Sequence, residues 1–348
     1  MTTLLLIHGR GQHTPRDFPP DRVPAFAADI RARWLQALNT GLAGAGLDPV
    51  PEDTRVLFPY YGNAFRDAVD AREGHGPGPD LAQWSTGQPM PDDLQAVCEV
   101  KAHLIDDVVA HLSAHPPSAG REPTPPDHEP TPPDHEPMAR GVPAGVGRPW
   151  WKLDELLRIP WLRDALQYLA RQAGVSASVV ESHFTDVAYY LGCADVRDTV
   201  LGIVEGALAE VDPGEPLVVL GHSLGSVVAY DLLTRMDPNR PVSLLVTTGS
   251  PLGLPAVQKH LLGHQGVSPA PVPAAVPARP GSWRNGYDVR DMVAILNPLG
   301  PYLAQAVDGQ IRDVRVDTGD EPHAVVGYLE NAEMVRAVGE LLATMNAS

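Results

Sequence analysis

The sequence predicts an α/β protein in which a mostly parallel central sheet is flanked by helices and carries a helical cap insertion. Short continuous apolar runs such as Thr2–Ile7 and Pro216–Leu220 are typical of strands that are buried on both faces of a parallel sheet. Longer segments between these runs have apolar residues at helical spacing. This alternation of strands and helices favours parallel pairing of the strands.

Length and composition narrow the class of protein. A chain of 348 residues is long for one domain, but α/β folds reach this size as a single unit with insertions. The hydrophobic fraction of 43% is enough for a sizeable core. The formal net charge of −17 argues against nucleic acid or an anionic membrane surface as a partner.

The cysteines and the apolar runs indicate the cellular compartment of the protein. Cys98 and Cys193 are far apart and match no metal or redox spacing, so we expect them to be reduced, as in a cytosolic protein. The apolar run Leu4–Ile7 is too short for a signal peptide or a membrane span, and no other stretch is long enough to cross a bilayer. We therefore expect a cytoplasmic protein without a membrane span.

Residues 1–66 are predicted to form the first part of the core. The strand Thr2–Ile7 is followed by a helix at Pro24–Leu38, which has apolar residues at helical spacing and a glycine, Gly41, near its end. A second strand is predicted at Thr54–Phe58.

Residues 67–181 are predicted to be an insertion that forms a cap or lid over the sheet edge. The tract at about 116–147 repeats the sequence EPTPPDH and is so rich in proline that we expect it to be disordered. The predicted helices of the insertion are Asp92–Leu112, Trp150–Ala173 and Ser176–Leu191. The second of these helices is rich in tryptophan and leucine, which gives the cap an apolar face.

Residues 182–348 are predicted to form the second part of the core. The predicted strands are Pro216–Leu220, Ser243–Thr247, Trp283–Tyr287 and Ile311–Val316, and the predicted helices are Asp195–Val211, Ser226–Leu233 and Ala324–Thr344. The proline- and alanine-rich stretch Val267–Pro280 is predicted to be an excursion over the pocket or a surface loop.

The most informative stretch follows the strand Pro216–Leu220. The sequence Gly221-His222-Ser223-Leu224-Gly225 fits the pattern G-x-S-x-G and lies between a predicted strand and a predicted helix. A serine on such a sharp turn has its hydroxyl exposed above the sheet edge. The amide of Leu224, at the start of the helix, is then placed to stabilise negative charge that develops near Ser223.

The stretches LLLIHGRGQ and GHSLGS, together with a late aspartate and a late histidine, resemble the α/β-hydrolase family of serine hydrolases, most closely its lipase and esterase branch. The resemblance covers the chain up to about residue 65 and again from about Phe184, but not the middle. It implies a catalytic triad in the order serine, acid, histidine.

The resemblance also implies roles for residues outside the turn. The pair His8-Gly9 resembles the oxyanion loop of the family, whose second amide donor is either Gly9 or Arg10, with Arg10 favoured. His323, after the last predicted strand, has the position of the general base. The acid is Asp288 or Asp291, and a W-x-N-x-x-D-x-x-D-x-V pattern in related sequences favours Asp291.

The predicted activity is hydrolysis of a carboxylic ester or thioester through a Ser-His-Asp triad and an acyl-enzyme, without a metal or an organic cofactor. The expected substrate is a small molecule with a moderately hydrophobic acyl group. Two alternatives stay open. One is an amidase or peptidase that uses the same triad, and the other is a non-catalytic interaction module with the proline-rich tract as its docking segment. The sequence predicts no oligomeric state.

Overall fold

A parallel sheet forms the centre of the protein. The computed structural model describes residues 2–73, 91–114, 177–262 and 269–346. The strands are β1 (Thr3–Ile7), β2 (Arg55–Leu57), β3 (Leu217–His222), β4 (Val242–Thr248), β5 (Ala270–Pro271), β6 (Trp283–Tyr287), β7 (Leu303–Ala304) and β8 (Ile311–Arg315). Six of them form one sheet in the order β2-β1-β3-β4-β6-β8, in which all neighbours are parallel. β5 and β7 form a separate parallel pair.

Helices cover both faces of this sheet. They are α1 (Val23–Gly44), α2 (Gly62–Glu73), α3 (Asp92–Ala114), α4 (Ala177–Gly192), α5 (Ala194–Leu208), α6 (Leu224–Arg235), α7 (Pro255–Leu262), α8 (Val325–Leu329) and α9 (Ala332–Asn346). Successive residues of a strand point to opposite faces of the sheet. Accordingly, Val218 belongs to a buried cluster with residues of α1, α8 and α9, whereas Val219 belongs to a cluster with residues of the helices α2 to α7. The predicted parallel sheet flanked by helices is confirmed.

The helices of this fold each have a buried side that faces the sheet. Their buried sides pack on the sheet in the two clusters that contain Val218 and Val219. Among the described residues, no helix combines the length and the apolar character that crossing a bilayer requires.

Several boundaries differ from the prediction. α1 continues to Gly44, so Gly41 lies inside the helix rather than beyond its end. The single helix predicted at Ala324–Thr344 is wrong, because the structure has two helices, α8 and α9, in its place. The break occurs at Asn331, whose side-chain oxygen accepts a hydrogen bond from the amide of Met334 at 3.1 Å and so caps α9.

The predicted insertion is only partly described, and its described helices belong to the main core. The proposed boundaries at residues 66/67 and 181/182 fall inside α2, which was not predicted, and inside α4. Leu104 of α3 and Phe184 of α4 are buried in the same cluster as Leu5 and Val219 of the sheet. The proline-rich tract and the predicted helix Trp150–Ala173 lie outside the described residues.

The stretch predicted as an excursion, Val267–Pro280, is anchored to the core in its described part. Ala270 is buried and pairs with Leu303, and the hydroxyl of Tyr230 donates a hydrogen bond to the carbonyl of Pro271 at 2.6 Å. These contacts fix the chain between α7 and β6 beside the sheet.

A buried carboxylate connects three helices on the same face. Asp231 of α6 accepts hydrogen bonds from the hydroxyl of Tyr190 on α4, at 2.8 Å, and from the guanidinium of Arg197 on α5, at 2.6 and 2.7 Å. Because Asp231 is almost fully buried, these charge-assisted bonds replace the water that the carboxylate loses on folding. They fix α4, the helix in which the predicted insertion ends, against α5 and α6.

The contact between β1 and α6 gives the first prediction. A Cβ atom at Gly225 would overlap the backbone oxygens of Ile7 and His8. A Cβ atom at Gly202 of α5 has no atom from outside its own helix within 4 Å among the described residues. We expect Gly225→Ala to lower the free energy of unfolding by about 3 kcal/mol because backbone atoms must move apart. Gly202→Ala, the matched control, should raise it by about 1 kcal/mol because alanine favours a helix. Urea denaturation of both variants measures the difference, and equal effects would contradict the close packing.

Candidate active site

Ser223 lies in a strained turn between β3 and α6. Its backbone has φ 56° and ψ −128°, and among the described residues it is the one non-glycine residue with a positive φ. Such a conformation costs about 1–3 kcal/mol and persists where the surrounding structure enforces it. Here the amide of Ser223 donates a hydrogen bond to the carbonyl of Thr248 at 2.9 Å, which fixes the turn to the end of β4.

His323 lies next to this serine. Its Nε2 atom is 2.8 Å from Ser223 Oγ, and its Nδ1 atom is 2.9 and 2.8 Å from the two carboxylate oxygens of Asp291. A carboxylate only accepts hydrogen bonds, so the partners place the proton on Nδ1 and leave Nε2 free to accept one from the hydroxyl of Ser223. The three side chains thus form one continuous line of hydrogen bonds.

Each of the three residues follows the carboxyl end of a different strand. Ser223 comes directly after β3, Asp291 lies in the loop after β6, and His323 lies in the loop after β8. The carboxyl ends of parallel strands meet at one edge of the sheet, where pockets of open α/β sheets form. This shared edge brings together residues that are far apart in the chain.

Asp291 is the candidate acid that contacts His323. It is fully buried, and it also accepts hydrogen bonds from the hydroxyl of Tyr328 at 2.8 Å and from the amide of Val293 at 2.9 Å. Burial alone would raise the pKa of Asp291, but the adjacent imidazole and these two donors outweigh burial and hold the pKa below its ordinary value. Asp291 is therefore ionised at neutral pH.

Asp288, the other candidate acid, has a different set of partners. Its carboxylate accepts hydrogen bonds from the amide and guanidinium of Arg290 and from the amide and hydroxyl of Thr318, all at 3.0 Å or less. Burial favours the neutral acid, but these donors prevail and lower the pKa of Asp288 to about 2. Asp288 therefore joins the loop after β6 to the loop after β8.

The loop after β1 lies against Ser223. A Cβ atom at Gly9 would be 2.8 Å from the Cβ atom of Ser223, which shows how closely the loop approaches. Among the described residues, the amide of Arg10 has no backbone acceptor, and the amide of Leu224, as the first residue of α6, has none within its helix. Both amides are therefore available to a ligand at this edge.

His8 fixes this loop from beneath. Its ring stacks on Tyr61 with 3.9 Å between the ring centroids, and its Nε2 atom accepts a hydrogen bond from the amide of Tyr61 at 3.2 Å. Nδ1 therefore carries the proton, and it donates to the carbonyl of Gly9 at 2.8 Å. Burial lowers the pKa of His8 to about 4, so the ring is neutral at pH 7 and its role is structural.

The side chain of Arg10 is anchored on α4. Its Nε atom donates to the carboxylate of Asp186 on α4 at 2.9 Å. Burial raises the pKa of Asp186, and the guanidinium of Arg10 opposes this shift. The ion pair therefore joins the loop after β1 to a helix that the family resemblance did not assign to the site.

Two further histidines surround the ring of His323. The ring of His222 is buried, 4.8 Å from His323 between centroids, and its Nδ1 atom is 3.2 Å from the carbonyl of Thr248. Burial, and then the neighbouring His323, lower the pKa of His222 to about 3, so this ring is neutral. The ring of His183 on α4 meets His323 edge-on, also at 4.8 Å.

One pocket lies on each side of the loop after β1. The first has a volume of about 280 Å³ and opens above Ser223 and His323, between the loop, α4 and α8. The second, of about 120 Å³, lies on the far side of Arg10 and reaches Tyr61, Phe65 and Leu224. Ser223 and His323 line the first pocket, and Leu224 lines the second.

The structure thus brings together the predicted residues Ser223, Asp291 and His323, with Arg10 and Leu224 at the same edge. Sequence reasoning missed three neighbours: Tyr328, Asp186 and His183. Nothing in the sequence marks Tyr328 as a site residue, because a tyrosine in the last predicted helix is typical of the core. Asp186 and His183 lie close together in a predicted helix, but nothing in the sequence pairs them with Arg10 or His323.

The partners of Asp288 give a prediction about pH. Its pKa of about 2 in the folded protein is below the ordinary value of 3.8, so the folded state binds a proton less readily than the unfolded chain. The stability that Asp288 contributes is therefore fully present above about pH 4 and is lost as the pH falls towards 2. At pH 6 we expect Asp288→Asn to lower the free energy of unfolding by about 2 kcal/mol, the order of one hydrogen bond to a charged group.

Urea denaturation at pH 6, 4 and 3 tests this expectation. The difference between wild type and Asp288→Asn should shrink as the pH falls. Asp17→Asn, at an exposed carboxylate, controls for the change in net charge. A difference that stays constant over this range would show that the hydrogen bonds to Asp288 do not favour its ionised form.

Comparison of the chain with models of known protein families, with curated proteins and with solved structures finds no match. The groups around Ser223 are therefore the basis on which the function is inferred.

Proposed function

We propose that the protein is a serine hydrolase of the α/β-hydrolase type, which cleaves a carboxylic ester or thioester through Ser223, His323 and Asp291. The observation that carries the proposal is the unbroken line of hydrogen bonds from Ser223 Oγ through both ring nitrogens of His323 to the carboxylate of Asp291. The strained turn at Ser223 supports it, because such strain is concentrated at functional sites.

In the proposed reaction, Ser223 Oγ attacks the carbonyl carbon of the substrate while Nε2 of His323 takes the hydroxyl proton. His323 then gives this proton to the leaving oxygen or sulfur as the bond to the carbonyl carbon breaks. Water, activated by the same nitrogen, releases the acyl group from Ser223. Asp291 keeps the Nδ1 proton in place and stabilises the imidazolium that forms in each step.

The negative charge on the carbonyl oxygen needs donors that are already in place. The amides of Leu224 and Arg10 are the proposed pair, because both flank Ser223 and neither has a backbone acceptor among the described residues. One such donor typically contributes about 3 kcal/mol to stabilising the transition state. The ion pair of Arg10 with Asp186 holds the loop that carries the second donor.

The pockets favour a small substrate. The pocket above Ser223 has a volume of about 280 Å³, near the lower limit of about 300 Å³ for pockets that bind drug-sized ligands. Trp34, Val325 and Val326 supply apolar walls, while Gln12 and His183 supply polar groups. A small acyl compound with a moderately hydrophobic part fits this lining.

Replacement of the nucleophile tests the proposal directly. We expect wild type to hydrolyse p-nitrophenyl acetate or butyrate and to be labelled by a fluorophosphonate probe. Ser223→Ala should lose both, with kcat reduced at least about 10⁴-fold, because the hydroxyl that forms the acyl-enzyme is removed. Ser243→Ala is the matched control, since Ser243 lies near the opposite end of the neighbouring strand β4 and should retain wild-type rates.

Failure of wild type in both assays, or full turnover by Ser223→Ala, would refute the proposed hydrolase. Parallel assays with p-nitroanilides of the same acyl groups distinguish an esterase from an amidase.

The two candidate acids can be separated by a matched pair of variants. Asp291→Asn should reduce kcat by about 10⁴-fold, because an amide no longer stabilises the imidazolium or the required tautomer of His323. Asp288→Asn should keep kcat within about 10-fold of wild type, because Asp288 contacts the loops and not the ring. Steady-state kinetics at a temperature where both variants are folded measure this difference, and the reverse order would identify Asp288 as the acid.

A further inference from the structure

A groove of about 670 Å³ lies at the edge of the sheet opposite Ser223. It is bordered by residues near the amino ends of three strands, among them Leu244 of β4, Arg284 of β6 and Ile311 of β8, and by α9. Its volume falls within the range of about 300–1,000 Å³ that is typical of small-molecule sites. It has no part in the proposed hydrolysis.

Three arginines from different segments meet in this groove: Arg279, Arg284 and Arg312. Arg284 and Arg312 are register partners on the neighbouring strands β6 and β8, so their side chains lie side by side on one face of the sheet. Like charges in such a pair are destabilising. Their clustering is unexpected in a chain with a net charge of −17, so overall composition does not explain it.

Acidic residues neutralise the cluster only in part. Glu340 lines the groove, and Glu333 nearby forms an ion pair with Arg312 at 3.0 Å, so three arginines face two glutamates. Arg279 uses one nitrogen to donate to the carbonyl of Ser243 at 2.7 Å. Most N–H groups of the three guanidinium groups are therefore left for another acceptor.

Arg284 is the residue that most needs an anion. Its side chain is buried, with 9% of its surface exposed, and it forms no ion pair with any carboxylate of the described residues. One nitrogen donates to the carbonyl of Glu333 at 2.9 Å, but Nε is buried and has no hydrogen-bond partner in the part of the chain that the structure describes. Burial, and then the charge of Arg312, lower the pKa of Arg284. The nearby carboxylates of Glu340 and Glu333 oppose this shift but do not outweigh it.

We propose that this groove binds an organic phosphate, with the phosphate on Arg279, Arg284 and Arg312 and the organic part against Leu244, Ala337 and Leu341 of the groove wall. Planar guanidinium groups bind phosphate oxygens through paired hydrogen bonds. Two negative charges match an excess of arginines better than the single charge of a carboxylate does. Inorganic phosphate alone would neither fill the groove nor contact its apolar wall, so we expect the phosphate to carry an organic group.

Isothermal titration calorimetry at constant ionic strength tests the proposal with three probes. We expect saturable binding of phenyl phosphate that is at least about tenfold tighter than the binding of inorganic phosphate or of benzoate. The absence of saturable binding of phenyl phosphate would overturn the proposal. Equal affinity for benzoate would overturn the assignment to phosphate, and equal affinity for inorganic phosphate would overturn the role of the apolar wall.

Matched variants locate the site. The double variant Arg279→Gln/Arg312→Gln should bind phenyl phosphate at least about tenfold more weakly, because two of the three cations are lost. Arg315→Gln removes an exposed arginine from the same strand as Arg312, three positions further on and so on the other face of the sheet, and should bind like wild type. Equal binding by the double variant would place the phosphate elsewhere and overturn the proposal.

Arg284→Met provides an independent measurement. Without ligand, its Tm should equal or exceed that of wild type, because the variant removes a buried cation without an ionic partner. A large fall in Tm would contradict the view that this buried charge destabilises the protein when no ligand is bound. Ester hydrolysis should be unchanged in the Arg279→Gln/Arg312→Gln variant, so this test is separate from that of the proposed hydrolase.

Discussion

The strained backbone at Ser223 is the constraint on which the rest of the site depends. The residue adopts a positive φ because β3 must turn at once into α6, whose second residue, Gly225, packs directly on the backbone of β1. The sheet and the helix together enforce what the residue itself disfavours. The same close packing sets the loop of Gly9 beside the hydroxyl, so one contact positions both the proposed nucleophile and the proposed oxyanion donors.

The sequence was most informative where local chemistry determines the structure. The apolar runs predicted the strands, and the pattern around Ser223 placed the turn, because strand, glycine and helix signals are adjacent in the chain. The sequence was least informative about contacts between side chains that are far apart in the chain. The contact of Tyr328 with Asp291, and that of Asp186 with Arg10, depend on tertiary packing across many residues. The break before α9 was missed because an asparagine in a helical pattern is a weak signal.

The two aspartates after β6 show how similar residues acquire different roles. Asp291 is reached by the ring of His323, whereas Asp288 is surrounded by Arg290 and Thr318. Both carboxylates have lowered pKa values, so ionisation alone does not distinguish them. What distinguishes them is which donors each carboxylate faces after folding, and the spacing of the two aspartates in the sequence does not determine this.

The ion pair between Arg10 and Asp186 has a consequence for how the protein can change. Since α4 carries Asp186 and also brings His183 to the ring of His323, the helix in which the predicted insertion ends is part of the frame of the site. An exchange of residues 67–181 for a shorter linker would remove the first turn of α4 and with it the start of this frame. Alteration of the insertion is therefore constrained at its carboxyl-terminal end, next to the sheet, by the need to keep α4 in register with the loop after β1.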